Sequence, residues 1–214
     1  MYGTIQLDGR EGVVYERIEG VTLLNETAKK PWTAIKVARL LATLHSQVHK
    51  VKAQQNIQIQ REWATGGIPE SKKLPPAIRE EILKLLNSLP QGEQLCHGDF
   101  HPGNIIHTKR GPIIIDWMTA SRGSAAGDVA RTSIILEAAK PPPGTPLRWL
   151  LEWIRGMFQS SYQNTYFRLN PIDMRLFFAW RTVMAANFFD VSLPEEESNL
   201  FQIIEQGLRS WKSN

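Results

Sequence analysis

Between residues 95 and 115 the chain sets a polar octapeptide, His97-Gly98-Asp99-Phe100-His101-Pro102-Gly103-Asn104, among apolar runs. Leu95-Cys96 precede it, and Ile105-Ile106 and Ile113-Ile114-Ile115 follow. Two Gly and a Pro in eight residues make a poor helix and a poor central strand, whereas the flanks suit strands. The pattern predicts a loop held open between two buried strands, its polar side chains free to meet a ligand. Lys109-Arg110-Gly111-Pro112 reads as a turn between the isoleucine runs. That makes a hairpin with Asp116 at its far end, a shape that returns Asp116 beside the octapeptide although seventeen positions separate it from Asp99.

Elsewhere the patterning is asymmetric. Thr4 to Leu7 and Val13 to Ile18 are β-rich runs around the turn-forming Asp8-Gly9-Arg10-Glu11-Gly12, and Glu19-Gly20 ends the second run. Ile35, Val37, Leu41, Leu44 and Val48 fall at helical spacing across 33–50, after Pro31. Residues 51–74 read as a loop with a short helix. Pro75-Pro76 opens a helix that ends at Pro90-Gln91-Gly92, and helical patterns over 127–139, 146–169, 172–190 and 195–211 fill the rest, punctuated by Pro141-Pro142-Pro143-Gly144 and Asn170-Pro171.

With 214 residues, 42% of them apolar, the chain can bury a proper core. Its net charge of +4 comes without a Lys/Arg run, so no nucleic-acid surface is expected. The lone Cys96 excludes an intrachain disulfide and reads as a small core residue. No basic-then-apolar leader opens the sequence, and no stretch approaches the roughly 18 apolar residues a membrane span needs. The expectation is a cytoplasmic protein with no membrane partner.

Three chemistries compete for the octapeptide. His97, Asp99 and His101 alternate as zinc ligands do, with His45 and His49 as an i, i+4 pair on one helix, but three or four convergent ligands are needed. Alternatively, His97, Asp99 and Asn104 brace a tight turn. The third reading is phosphoryl transfer. His-x-Asp-x-x-x-x-Asn is the spacing of a kinase catalytic loop, in which Asp99 accepts a proton from the attacking hydroxyl, Asn104 holds Mg²⁺, and Asp116 is a second hard oxygen ligand.

HGDFHPGN, followed by GPIIIDW and GDVART, resembles the aminoglycoside phosphotransferase family, among the kinase-like small-molecule phosphotransferases that include choline, homoserine and fructosamine kinases. The resemblance runs from about residue 2 to at least 190. It implies an α+β, protein-kinase-like fold: a truncated β N-lobe of one hairpin and hinge at 1–20, then a mostly helical C-lobe at 21–214 carrying the catalytic loop and the metal-binding hairpin. It implies ATP and Mg²⁺ as cofactors, a small-molecule hydroxyl acceptor, Asp99 as base, and Asn104 and Asp116 as magnesium ligands. His97 would brace the loop, and Asp128 would be a structural carboxylate, an N-cap at a helix start. Residues 13–20 resemble the last N-lobe strand and hinge, where adenine pairs with the carbonyl of Glu16 and the amide of Ile18 while Tyr15 sits behind the ring.

The sequence departs from the family at its front. No lysine precedes Lys29, and no two glycines stand at i, i+2 anywhere, so the lysine that pairs with the phosphates and the Gly-x-Gly loop that covers them have no counterpart here. The chain begins where the fourth strand of the lobe is expected. Two functions follow as expectations: an impaired ATP- and Mg²⁺-dependent phosphotransferase whose missing strands a partner chain would cover, or a non-catalytic remnant that binds a ligand or partner. Asp190 and Glu195-Glu196-Glu197 are candidates for attracting an amine-bearing acceptor. Trp149, Trp153, Phe177, Phe178, Trp180, Phe188 and Phe189 are expected in the core.

Overall fold

The computed structural model describes residues 2–138, 141 and 144–213. It opens with a hairpin in which β1 (Gly3–Leu7) and β2 (Arg10–Val14) pair antiparallel, from Gly3↔Val14 to Leu7↔Arg10. Asp8 and Gly9 alone make the turn, both at positive φ, as the twist of a two-residue hairpin loop demands. The turn is therefore shorter than the expected 8–12, and Arg10 to Gly12 lie in the ladder. The ladder ends at the pair Gly3↔Val14, so the second strand stops at Val14 rather than Ile18.

After β3 (Val21–Thr22), α1 (Leu23–Lys29) is capped by Thr22, whose hydroxyl accepts from the Asn25 amide at 3.2 Å. A 3₁₀ turn at Pro31–Thr33 leads into α2 (Ala34–Val48), then come α3 (Gln60–Thr65) and α4 (Pro76–Ser88). β4 (Gln94–Cys96) delivers the octapeptide, which ends in a 3₁₀ turn at Pro102–Asn104. β5 (Ile105–Thr108) and β6 (Gly111–Ile114) form the expected hairpin, with strands reaching further into the turn than anticipated. β6 is the edge of the sheet β3-β5-β6, so Pro112 is tolerated on it. A 3₁₀ turn at Trp117–Thr119 precedes β7 (Ser121–Gly123), which pairs with β4 from Cys96↔Ser121 to Gln94↔Gly123. Two small sheets thus bracket both the octapeptide and Asp116.

The remainder is helical: α5 (Ala125–Ala138), α6 (Arg148–Leu169), α7 (Met174–Phe189) and α8 (Pro194–Lys212). Ala139 at the expected end of the first of these, and Pro142 and Pro143, lie outside the described residues. α7 buries Phe177, Trp180, Val183, Met184, Ala186 and Phe189, most of its circumference, because α4, α5 and α8 all pack on it. Of the aromatic residues expected in the core, Trp149, Trp153 and Phe178 are instead exposed, at 69%, 59% and 51%. They fall on the solvent faces of α6 and α7. No helix among the described residues is long and apolar enough to cross a membrane.

α8 crosses α7 at Gly207, where a Cβ would overlap the Thr182 hydroxyl and lie 2.9 Å from Thr182 Cβ. Thr182 cannot rotate away without losing its bond to the Phe178 carbonyl at 3.0 Å. Alanine here would gain about 1 kcal/mol of helix propensity, but overpacking costs about 1–3 kcal/mol, so packing wins. Gly207→Ala should lower the urea midpoint, and adding Thr182→Ala should restore much of it. A midpoint raised by Gly207→Ala alone would show that this crossing is loose.

Candidate functional site

The octapeptide is held by its main chain. Gly98 has φ +79°, and a Cβ there would lie 2.6 Å from the Thr119 carbonyl, so only glycine suits both the turn and the approach. His97 is fully buried, and its Nδ1 accepts from the Asp99 amide at 3.2 Å while its Nε2–H donates to the Ile115 carbonyl at 3.0 Å. The pairing defines the tautomer and ties the loop to the segment that carries Asp116. The Thr119 hydroxyl adds a bond to the His97 carbonyl at 2.8 Å.

Asp99 and Asn104 meet directly. Asn104 Nδ2 donates to the Asp99 carbonyl and to its Oδ2, both at 2.9 Å. His101 stands on the other side, with Nε2 3.4 Å from Asp99 Oδ2 and Nδ1 accepting from the Gly103 amide at 3.0 Å. The bond to His101 and, after the opposing effect of burial, the His101 and Asn104 contacts hold the Asp99 carboxyl below its ordinary value. The Ile115 amide donates to the Asn104 carbonyl at 2.9 Å, so Asp116 is the next residue after one fastened to Asn104. Asp116 adopts a left-handed conformation, φ 62° and ψ 63°, with its side chain exposed and without hydrogen-bond or ion-pair partners among the described residues.

The hinge residues are placed apart from this cluster in the chain. Residues 15–20 run without regular structure, the Glu16 carboxylate pairs with Arg110 at 2.5 Å, Ile18 is half-buried and Tyr15 is 66% exposed. Neither the Glu16 carbonyl nor the Ile18 amide has a main-chain partner among the described residues.

Asp128 is a structural carboxylate in the first turn of α5, as expected, but its role differs from the one expected. It is not an N-cap: α5 starts at Ala125, and the fully buried Asp128 carboxylate turns away from its own helix. Oδ2 accepts from the His97 amide at 2.6 Å and Oδ1 from the Gly98 amide at 2.8 Å. The Nε2 atoms of His45 and His49 also reach Oδ2, at 3.0 and 3.1 Å. Their Nδ1 atoms accept from the hydroxyls of Tyr162 at 2.7 Å and Tyr166 at 2.6 Å. Two i, i+4 pairs, His on α2 and Tyr on α6, thus face each other across the packed helices. That shared spacing is the signal by which sequence reading could have found them.

The zinc arrangement does not form. His97 and His101 point to different partners, and among the described residues the ligand-type group that clusters within 4.8 Å is His45, His49 and Asp128. Its hydrogen bonds close without an ion: each imidazole donates to Asp128 and accepts from a tyrosine. Arg131, also missed, donates from Nε to the Gly98 carbonyl at 2.8 Å and from Nη1 to Asn187 Oδ1 at 3.1 Å, and its guanidinium lies 4.5 Å over the Trp63 ring. Cys96 is fully buried, and burial pushes its thiol up. Asp190 bonds the Ser71 hydroxyl at 2.7 Å, Glu197 pairs with Lys73 at 2.7 Å, and Glu196 accepts from the Leu193 amide at 3.0 Å. These acids therefore serve local structure.

Burial, then repulsion from His49, lowers His45 to about 4. Burial alone would raise Asp128, but the two imidazoles outweigh it and, with the loop amides, hold the carboxyl well below the usual range. The unfolded chain binds a proton on His45 near pH 6.5 and the folded chain only near 4. Stability should therefore fall as pH drops through that window, by about 3 kcal/mol, and the depressed Asp128 withdraws its own contribution only at still lower pH. His45→Gln should flatten the denaturant midpoint between pH 6.5 and 4. An unchanged slope would mean that His45 is not the group titrating.

No curated protein sequence matches. Among solved structures, LicA in complex with AMP aligns with TM-score 0.52 and 16% identity over 94% of this chain and 69% of its own. The amicoumacin kinase hAmiN in complex with AMP-PNP, Ca²⁺ and Ami aligns with TM-score 0.57 and 14% identity over 92% of this chain and 64% of its own. The chain thus spans about two thirds of these structures and shares their fold. The phosphotransferase enzyme family model matches residues 3–164, which takes in the hairpin, the octapeptide, Asp116 and Asp128. The chain belongs to the phosphotransferase enzyme family.

Proposed function

We propose that the chain is an ATP- and Mg²⁺-dependent small-molecule phosphotransferase, impaired in this short form, transferring the γ-phosphoryl group to a hydroxyl of an aminoglycoside- or amino-alcohol-type acceptor. The observation that carries the reading is the Asp99–Asn104 pair, in a chain belonging to this family. Asn104 spends its amide hydrogens on Asp99, and Asp116 presents an exposed carboxylate with no partner among the described residues. A hard amide oxygen and a hard carboxylate suit Mg²⁺. The metal, when bound with ATP, supplies charge neutralisation at the phosphates.

The chain's own residues do the rest. Asp99, kept ionised by His101 and Asn104, accepts the hydroxyl proton. Asp128 and His97 fix the loop so that the carboxylate needs no rearrangement to do so. The unpaired Glu16 carbonyl and Ile18 amide offer an acceptor and a donor for adenine, with the exposed Tyr15 ring alongside. In this reading residues 1–20 are the hinge-bearing remnant of the N-lobe and 21–214 the C-lobe.

These 214 residues alone supply neither the lysine nor the Gly-x-Gly cover, so weak nucleotide binding and slow turnover are expected of them in isolation. The hairpin also exposes Ile5, Leu7 and Val13, at 49%, 66% and 47%, apolar surface that further lobe strands or a partner chain would cover. That exposure favours a second reading, a non-catalytic chain that binds a ligand or partner.

ATP consumption with Mg²⁺ against a panel of amino sugars and amino alcohols separates the two. Acceptor-dependent turnover should appear and fall by about 10²–10⁴-fold in Asp99→Ala, with the unfolding midpoint kept. Nucleotide binding without turnover supports the non-catalytic chain, and turnover that survives Asp99→Ala refutes the base. Asn104→Ala and Asp116→Ala should each raise the Mg²⁺ concentration needed for half-maximal rate or nucleotide binding. An unchanged Mg²⁺ dependence in both would remove them as ligands.

A further inference from the structure

A cavity of about 440 Å³ opens between α1, the octapeptide, α5 and α6. Leu24 and Ala28 of α1, Leu136 of α5, and Leu151, Ile154 and Phe158 of α6 line it. Leu136 and Phe158 are buried, whereas Leu24 and Leu151 are 54% and 37% exposed, so apolar surface here stands open to solvent. Thr27, Arg155 and His101 are the polar side chains in the lining, and each is anchored on the protein. The Thr27 hydroxyl donates to the Leu23 carbonyl at 2.8 Å. Arg155 Nη1 donates to the Glu137 carbonyl at 2.7 Å and the Leu136 carbonyl at 3.3 Å, at the end of α5. No acid lines the cavity among the described residues. His101 is the link to the octapeptide: it lines the cavity, and its Nε2 lies 3.4 Å from Asp99 Oδ2. One imidazole thus meets both the cavity and the carboxylate.

We propose that this cavity receives the apolar part of the acceptor, an alkyl or aryl group joined to the hydroxyl that Asp99 serves, so that the substrate class is an amphiphilic alcohol. The role of Asp99 in this inference rests on the phosphotransferase reading; the apolar subsite rests on the cavity alone. Sites for small molecules are mostly apolar concavities of about 300–1,000 Å³ with a few fixed polar groups, and this cavity has that size and that lining. An apolar group seated against Leu24, Leu151 and Ile154 takes its own surface and theirs out of water. An ammonium group would lose hydration there and find no carboxylate in return. The hydroxyls of an amino sugar would face side chains that offer them no partner. An amino alcohol therefore fits with its hydrocarbon in the cavity and its amine outside.

The test is binding to the ¹⁵N-labelled full chain, read from amide resonances, so it needs no turnover. Phenylethanol, phenylpropanol and phenylbutanol vary the reach from ring to hydroxyl. Their methyl ethers remove the hydroxyl proton, and glucosamine is the polar control. At least one alcohol should move the resonances of Leu24, Ala28, Leu151 and Ile154 saturably, together with those of residues 99–101, while glucosamine leaves the cavity residues in place. That alcohol should bind about threefold or more tighter than its more apolar ether, and the advantage should vanish in Asp99→Ala. Leu151→Gln, at an exposed helix position, should weaken the alcohol about fivefold, and Leu24→Gln serves should that variant not fold. Cavity resonances unmoved by every alcohol, or an affinity unchanged in the folded variant, overturn the proposal. Ethers that bind as tightly as the alcohols overturn it too, since the apolar site would then not serve the acceptor hydroxyl. None of these outcomes bears on the phosphotransferase reading, which acceptor-dependent turnover in Asp99→Ala decides separately.

Discussion

The Asp128 carboxylate is the contact on which the rest of the site depends. A buried carboxylate is costly unless its oxygens are satisfied, and here four N–H groups do so. Two are main-chain amides of the octapeptide and two are imidazoles, His45 of α2 and His49 at its C-cap. The helical core, through α2 and α6, thereby fixes the backbone at His97-Gly98, from which Asp99 projects. A loop that would otherwise lose its shape to solvent competition is held by an anion that has nowhere else to go. Arg131, from the next turn of α5, takes the Gly98 carbonyl, so both faces of that peptide segment answer to one helix.

The same economy appears in the sheets. Four of the seven strands among the described residues bring two loops together. β4 and β7 bracket one end, and β5 and β6 return the chain from Asn104 to Asp116. His97, bonded to the Ile115 carbonyl, closes the gap between them. By contrast, β1 and β2 pair only with each other among the described residues and leave Ile5, Leu7 and Val13 exposed. In the proposed reading this hairpin is the remaining edge of the nucleotide-binding lobe, which explains a well-organised catalytic loop beside a nearly bare hinge.

Much of this was legible in the chain. Helical spacing and proline punctuation placed α2 and α4 to α8 within a few residues, because long amphipathic patterns leave few alternatives. The octapeptide and the Ile-Asp-Trp strand end marked out the loop and hairpin on which the proposed site is built, because two Gly and a Pro between strand-like runs favour a loop. What was not legible depended on contacts distant in sequence. Asp128 looked like a cap because capping is local, while its partners lie 30 to 83 residues away. Trp149 and Trp153 looked like core because they are apolar, yet α6 buries its other face. The hairpin ladder was missed by a few residues because Asp8-Gly9 alone suffices for the turn, which pulls Arg10 to Gly12 into strand.

The central claim is that Asn104 and Asp116 share one divalent cation with a nucleotide bound at the hinge. Mn²⁺ substituted for Mg²⁺ in the presence of a non-hydrolysable ATP analogue reports this directly, through paramagnetic broadening of amide resonances in the ¹⁵N-labelled chain. The account predicts the strongest broadening around residues 99, 104 and 116, dependent on the nucleotide and absent without it. Broadening centred instead on the acidic start of α8, or indifferent to the nucleotide, would contradict it.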